Sequence, residues 1–149
     1  MARVLVTGMS GAGKSTLLAA VAQRGFRTVD TDLDGWTQPD GRWDDDRMSA
    51  LLARESTIAV SGTVDNQGRF YPQFDHVVLL SAPLDVLLAR VRTRTTNPYG
   101  RSPAEQDEIR GYVRDVEPLL RRGATVELDG TRPVEELADA LVDLLRRSD

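Results

Sequence analysis

The sequence predicts an α/β fold in which a five-stranded parallel sheet carries helices on both faces. Five short runs rich in β-branched and other apolar residues alternate with segments whose apolar residues recur at helical spacing. The first run leads directly into a glycine-rich turn and a helix, which is the order expected of a parallel sheet. No repeat or low-complexity linker divides the chain, so we expect residues 1–149 to form one domain.

The strand and helix patterns locate the places where a ligand is expected. Strands are predicted at 4–7, 27–32, 56–62, 76–82 and 124–130, and helices at 15–25, 44–55, 83–94, 102–123 and 133–147. Ligands of such sheets gather at the carboxyl ends of the strands. The residues that follow each strand are therefore the candidates for a site.

Composition excludes several classes of function. The chain has no cysteine, so it has neither disulfides nor thiolate metal sites. Its net charge of -4 disfavours broad nucleic-acid binding, which needs a basic face. We see no signal peptide and no run of membrane-spanning length. We expect a soluble, cytoplasmic protein with neither nucleic acid nor membrane as a partner.

The stretch GMSGAGKST, residues 8–16, has the pattern Gly, four residues, Gly-Lys-Ser that binds nucleoside triphosphates. Glycines let successive backbone N–H groups face one anion, and the next helix adds its positive end. Lys14 is expected to bridge the β- and γ-phosphates, Ser15 to bind Mg²⁺ and Thr16 to contact the α-phosphate. The predicted nucleotide-binding residues of this loop are Gly8, Ser10, Gly11, Ala12, Gly13, Lys14, Ser15 and Thr16.

Lys14 is also unusual in the composition. Of the 19 basic residues it is the single lysine, and the others are arginine. A compact ammonium on a flexible stem can follow moving phosphate oxygens, which fits the role assigned to it.

Two carboxylates follow the second predicted strand in VDTD. Asp30 and Asp32 are two residues apart, so in extended chain both side chains point to the same side. One could hold the metal and the other accept the proton of an attacking hydroxyl. The alternative is a solvated acidic turn.

These features resemble small P-loop kinases such as shikimate kinase and gluconate kinase. The resemblance implies that Asp30 serves the metal and Asp32 the acceptor hydroxyl. The stretch DGTRPVEEL is similar to the segment of adenylate kinases whose backbone touches adenine, which implies that role for Thr131, Arg132 and Pro133. The third strand is followed by SGTVDNQG, with neither the usual acidic residue nor a Gly-Gly-Gly run. Shikimate itself is therefore not the expected acceptor.

The segment ARVRTRTTNPYGRS, residues 89–102, corresponds to the lid of small kinases. Arg90 and Arg94 share a helix face, and Arg101 follows a turn marked by Asn-Pro and Gly. Lid arginines would stabilise the charge that develops during transfer, and lid closure would exclude water. The alternative is a solvated basic helix end.

The acceptor side is less well marked. Asn66, Gln67 and Arg69 lie in a polar loop after the third strand and could read hydroxyls or an anion, although chance loop composition explains them equally well. Trp36 and Trp43 either stack on a ligand ring or pack beneath their loop.

The sequence as a whole predicts an ATP- and Mg²⁺-dependent kinase of a small hydroxylated or phosphorylated metabolite. Transfer would be direct, with Lys14, Asp32, Arg90, Arg94 and Arg101 as the catalytic set. The rival hypothesis is a nucleotide-binding regulator or slow ATPase that needs no small-molecule acceptor. Preference for ATP over GTP rests on the DGTRP segment alone.

Overall fold

A computed structural model of the protein describes residues 1–95 and 97–147. The strands are β1 Arg3–Thr7, β2 Thr28–Asp30, β3 Ile58–Ser61, β4 His76–Ser81 and β5 Val126–Asp129. The helices are α1 Lys14–Gln23, α2 Asp45–Arg54, α3 Leu84–Thr93, α4 Pro103–Asp115, α5 Glu117–Gly123 and α6 Val134–Arg146, and a 3-10 turn covers Gln67–Gln73.

The five strands form one parallel sheet in the order β2-β3-β1-β4-β5. The predicted α/β class and five-stranded parallel sheet are thus confirmed. Strand β1 lies in the centre, with Leu5 opposite Val60 of β3 on one side and Val77 of β4 on the other. Because β1 is central, the loop that follows it opens in the middle of the sheet's carboxyl edge.

Apolar side chains cover both faces of the sheet, as expected when every strand connection crosses over it. One core lies under α1 and α6 and includes Leu17 and Leu141. The other lies under α2 and includes Met48, Trp43 and Phe70. These two cores hold the strand ends, and hence the loops after them, in fixed positions.

The single helix predicted over 102–123 is divided in the structure. It ends as α4 at Asp115 and begins again as α5 at Glu117. Pro118 lies in the first turn of α5 and has no N–H to donate to the preceding turn, so it fits a helix start and not a helix interior. The resulting bend lets α4 and α5 form one wall beside the loop after β1.

Among residues 1–95 and 97–147, no helix combines the length and apolar character that crossing a bilayer requires.

Candidate functional site

The glycine-rich loop of residues 8–16 links β1 to α1. Gly11 has φ +88°, and a Cβ there would lie 2.8 Å from the backbone oxygen of Leu87 on α3. Only glycine combines that dihedral with so close an approach. Gly13 caps α1, and no side chain caps the helix. The N–H groups of its first turn are thus left for an anion, at the positive end of the helix dipole.

Lys14 begins α1 and reaches back over the loop. Its Nζ donates to the backbone oxygens of Gly8 at 2.7 Å and Met9 at 3.2 Å. Burial lowers the pKa of the Lys14 ammonium from 10.5 to about 8, although the nearby carboxylates of Asp32 and Asp30 act in the opposite direction. Burial of the Lys14 ammonium therefore costs free energy, and a bound phosphate would offset that cost by pairing with the charge.

The two carboxylates after β2 lie near this ammonium in different roles. Asp30 ends β2, and its Oδ2 accepts a hydrogen bond from Ser15 Oγ at 2.6 Å. Its Oδ1 accepts from the Asp32 N–H at 3.1 Å. Burial raises the pKa of the Asp32 carboxyl above its ordinary value, against the opposing charge of Lys14. Asp30 is thus held by two donors, whereas the Asp32 carboxylate faces Lys14 through space.

The three predicted lid arginines bind different parts of the site. Arg90 donates to the loop oxygens of Gly11 and Ala12, both at 3.2 Å, and to Gly130 O at 2.8 Å. It joins the loop after β1 to the loop after β5.

Arg94 and Arg101 lie further out. Arg94 donates to Ser10 Oγ at 3.1 Å and to Tyr99 O at 2.8 Å. Arg101 donates to the backbone oxygen of Arg94. Of the predicted lid segment, Thr96 lies outside the described residues. Arg94 therefore contacts the loop, and Arg101 braces Arg94.

A cavity that we name the loop cavity lies over the first turn of α1, with a volume of about 340 Å³. It is lined by Ser10, Gly11, Gly13, Lys14, Ser15, Thr16, Asp32, Arg90, Thr93, Arg94 and Asn97. Its lining contains predicted phosphate, metal and lid residues together. Such a concave site with convergent polar groups is the usual form of a ligand pocket.

A smaller cavity of about 280 Å³ adjoins the same loop on the side of β5. Arg90, Gly130 and Arg132 line it together with Ala12, Gly13, Thr16, Leu17, Val134 and Leu137. Of the residues predicted to touch the base, Arg132 lines this cavity, whereas the hydroxyl and N–H of Thr131 both donate to Asp129. Pro133 caps α6.

A family model described as the AAA domain matches residues 4–111. The chain belongs to this AAA domain family. A curated relative, a nucleotide-binding protein of Sorangium cellulosum (strain So ce56), is 32% identical over 161 residues. That match covers 96% of this chain but 43% of the relative, so the chain spans less than half of the relative's length.

Solved structures of small-molecule kinases share the fold of this AAA domain. A shikimate kinase from Acinetobacter baumannii, in complex with shikimate, matches with a TM-score of 0.71 at 20% identity, over 97% of this chain and 92% of that one. A gluconokinase from Sinorhizobium meliloti 1021 matches with a TM-score of 0.61 at 21% identity, over 96% and 93%. The predicted resemblance to P-loop small-molecule kinases is confirmed at the level of fold.

The polar residues predicted for the acceptor are largely engaged within the protein. Asn66 is buried and bonded to both backbone polar groups of Trp43, and its Nδ2 also donates to Asp45. Gln67 is buried too and donates to Thr7 and Tyr71. Arg69 pairs with Asp45 at 3.1 Å. Their substrate roles stay predictions.

Trp36 and Trp43 are 6% and 1% exposed. Trp43 packs against Phe70 with ring centroids 5.8 Å apart, and Arg47 covers Trp36 at 4.0 Å from its centroid. Of the two alternatives for these rings, the structure has them packed beneath their loop.

Sequence reasoning missed Thr63, which follows β3. Its hydroxyl donates to Gly8 O at 2.7 Å and lies 3.2 Å from the Gly8 N–H, which donates to it. It therefore holds both backbone polar groups of Gly8, the first residue of the glycine-rich loop. The signal was its position at the carboxyl end of a strand beside β1.

A third cavity, which we name the side cavity, has a volume of about 450 Å³. Its lining comprises Gly8, Met9, Ser10, Lys14, Asp32, Thr63, Val64, Asp65, Tyr99, Glu108, Tyr112, Val116 and Leu120. Five of these residues, Tyr99, Glu108, Tyr112, Val116 and Leu120, come from the lid segment, α4, α5 and the residue between the two helices, far from the loop in sequence. No local pattern marked these residues, because only the packed fold brings them together.

Proposed function

We propose that this protein is a kinase that transfers the γ-phosphate of ATP, with Mg²⁺, directly to a hydroxyl of a small molecule. One observation carries the proposal: the loop cavity and the side cavity share Ser10, Lys14 and Asp32. A transferase needs donor and acceptor spaces that meet at the reacting groups. A nucleotide sensor needs only the first space.

The donor would lie in the loop cavity. The uncapped N–H groups of α1 and the Lys14 ammonium would surround its β- and γ-phosphates. Lys14 would exchange its bonds to Gly8 O and Met9 O for phosphate oxygens, so its partly buried ammonium would gain an anion in direct contact.

The residues present fit a magnesium ion. Ser15 Oγ and Asp30 Oδ2 are hard oxygen donors 2.6 Å apart, beside the first turn of α1. Mg²⁺ usually takes one or two protein oxygens and completes its shell with water and phosphate. When bound, it would offset the phosphate charge. Ser15 and Asp30 would hold it, and Asp30 would replace the acidic residue that is missing after β3.

Asp32 would orient the acceptor hydroxyl and take its proton. It lines both cavities and, unlike Asp30, its carboxylate accepts no hydrogen bond among the residues that the structure describes. Because its pKa is raised toward neutral pH, the Asp32 carboxylate would be a stronger general base.

Arg94 would stabilise the developing charge from its position beside Ser10. Arg90 would hold the loop and flank the base, whereas Arg101 would act through Arg94. The base would bind in the cavity lined by Arg90 and Arg132 and near Thr131 and Pro133, and we include preference for ATP over GTP in the proposal.

The test measures ADP formation with a coupled assay across sugars, sugar acids, amino alcohols and nucleoside monophosphates. An acceptor should raise the rate well above hydrolysis in the wild type. Asp32→Asn should lower that rate by about 10²- to 10⁴-fold and leave ADP binding unchanged. Asp34→Asn, two residues away in an exposed turn, is the matched control. An acceptor-dependent rate that survives in Asp32→Asn contradicts the proposal.

A regulator or slow ATPase is the second candidate. It is favoured by the description of the Sorangium relative as a nucleotide-binding protein, of which this chain spans 43%. It predicts tight nucleotide binding, no acceptor-dependent rate, and a protein partner recovered in one nucleotide state only.

We place the protein in the cytoplasm, where ATP is supplied, and propose no nucleic-acid or membrane partner. The net charge of -4 supports the first exclusion. We also propose that residues 1–149 act as one kinase-like unit.

A further inference from the structure

We propose that the side cavity selects an acceptor in which the reacting hydroxyl is joined to a cationic amine through an apolar or ring-shaped body, and that it disfavours carboxylates. The inference deepens the proposed kinase function and rests on it. It concerns the class of acceptor, which the sequence left open.

The charges around the side cavity favour a cation. Its lining contains the carboxylates of Asp32, Asp65 and Glu108 and one cationic side chain, Lys14. The Lys14 ammonium is directed to Gly8 O and Met9 O, on the side of the phosphate loop. With Asp32 assigned to the reacting hydroxyl, Asp65 and Glu108 remain to meet a positive group.

An anionic acceptor would find no arginine in this wall. Arg69, one of the three residues predicted to read hydroxyls or an anion, is absent from the lining and pairs with Asp45 at 3.1 Å. Arg94 lines the loop cavity and not the side cavity. A carboxylate in the side cavity would therefore face like charges without the bidentate partner that such groups usually have.

Much of the remaining wall is apolar. Met9 is 4% exposed and Leu120 is 7% exposed, and Val116 is half-buried beside them. Tyr112 adds an aromatic ring that is 47% exposed. A wholly polar ligand would make no apolar contact with this surface, whereas a ligand with an aliphatic or ring-shaped body would bury it.

Glu108 also connects the cavity to the lid. Its Oε1 accepts a hydrogen bond from the Tyr99 hydroxyl at 3.2 Å, and the Tyr99 backbone oxygen accepts from Arg94. Burial and the Glu108 carboxylate raise the pKa of Tyr99 to about 12, so the hydroxyl keeps its proton. An amine that pairs with Glu108 would lie against the lid segment that carries Arg94.

Asp65 is the second carboxylate left for an amine. It is exposed, and within residues 1–95 and 97–147 it forms no hydrogen bond or ion pair. It follows Thr63 and Val64 on the loop after β3, whereas Glu108 lies on α4. The two carboxylates thus line one cavity from separate elements, and either can pair with an amine bound there.

The experiment uses two sets of three ligands, and each set comprises an amine, a neutral and a carboxylate member that share one ring. Glucosamine, glucose and glucuronate form the first set, and 2-amino-1-phenylethanol, 1-phenylethane-1,2-diol and mandelate the second. Binding to the full chain with ADP and Mg²⁺ is measured by calorimetry. In at least one set the amine should bind about tenfold more tightly than the neutral member, and the acid more weakly than both.

Variants assign the effect to the cavity. Glu108→Gln and Asp65→Asn should each weaken amine binding by about threefold to tenfold and leave the neutral member within twofold. Glu136→Gln, an exposed carboxylate on α6, makes the same charge change away from the cavity and should have no effect. Circular dichroism checks that each variant folds.

The inference is overturned if the members of both sets bind equally, if the acids bind most tightly, or if no member binds. ADP release is measured in parallel. Amine binding without ADP release would retain the preference of the side cavity for amines and remove the proposed transfer. ADP release with glucuronate or mandelate in preference to the amines would retain the transfer and remove the inference.

Discussion

Replacing Lys14 by methionine should stabilise the free protein, even though it removes the residue expected to bind phosphate. Methionine keeps the unbranched stem and loses the ammonium. Two terms oppose each other. The variant escapes the desolvation of a buried charge, and it loses the hydrogen bonds from Nζ to Gly8 O and Met9 O.

The magnitude follows from the pKa of Lys14, which is 10.5 ordinarily and about 8 in the fold. A shift of that size corresponds to about 3 kcal/mol against folding at pH 7, at about 1.4 kcal/mol per pKa unit. Losing two hydrogen bonds to the loop carbonyls costs about 1–2 kcal/mol, because Gly8 O keeps the bond from the Thr63 hydroxyl and Met9 O the bond from the Ala12 N–H. The net expectation is about 1–2 kcal/mol of stabilisation, or a rise in Tm of about 3–6 °C for a chain of this length.

The difference in stability between Lys14→Met and the wild type depends on pH. The folded pKa is below the unfolded one, so the unfolded state binds more protons between pH 8 and 10.5 and the wild type gains stability as pH rises through that window. The advantage of Lys14→Met is therefore full below pH 8 and should shrink by about 2 kcal/mol by pH 9.5. Because Lys14 is the single lysine, no other ammonium of a side chain titrates there.

The assay is thermal and urea unfolding followed by circular dichroism at pH 7 and 9.5, with EDTA and without nucleotide. Arg42→Met, at an exposed turn, is the control for removing a surface cation. A variant less stable than the wild type at pH 7, or an advantage equal at both pH values, would refute the reasoning. Mg-ADP should raise the Tm of the wild type and not that of Lys14→Met.

Three further changes test the phosphate loop and lid. Gly11→Ala should cost about 2–3 kcal/mol of stability in urea unfolding, because it adds a backbone clash to the strain of a positive φ. The control Gly41→Ala, at φ +82° with open space around it, should cost about 1 kcal/mol. Equal costs for the two variants would contradict the clash. Thr63→Val removes the hydroxyl bonded to Gly8 and should weaken ADP binding about fivefold to tenfold in calorimetry, with unchanged affinity counting against its role. Arg94→Gln should lower kcat for acceptor-dependent ADP release at least about tenfold with ADP affinity nearly constant; an unchanged kcat would remove Arg94 from transfer.

The phosphate loop was the most predictable part of the molecule. Its chemistry is local, since the glycines, Lys14 and Ser15 all lie within residues 8–15 and the strand and helix around them follow directly from the pattern. The parallel sheet followed from the alternation of strands and helices for the same reason. The break at Pro118 was also readable, because proline begins helices and interrupts them, but the apolar spacing of 102–123 outweighed it.

The side cavity could not be predicted. Glu108 and Tyr112 lie on α4 and Leu120 on α5, and nothing in their neighbours distinguishes them from residues of an ordinary amphipathic helix. Their meeting with Met9 depends on how α4 and α5 pack against the sheet. Asn66 shows the converse problem, since a polar residue in a polar loop looks available and is in fact bonded to Trp43 and Asp45.

The three hydrogen bonds from Arg90 have a consequence for the order in which the protein is made. The loop around Gly11 is synthesised before its partner Arg90, which follows 79 residues later, and Gly130, the other partner of Arg90, follows 40 residues after that. A nascent chain therefore contains the complete motif before Arg90 can donate to both the loop carbonyls and the Gly130 carbonyl. The loop should therefore reach its final geometry only once strand β5 and Gly130 have been synthesised, and not when the motif itself is complete.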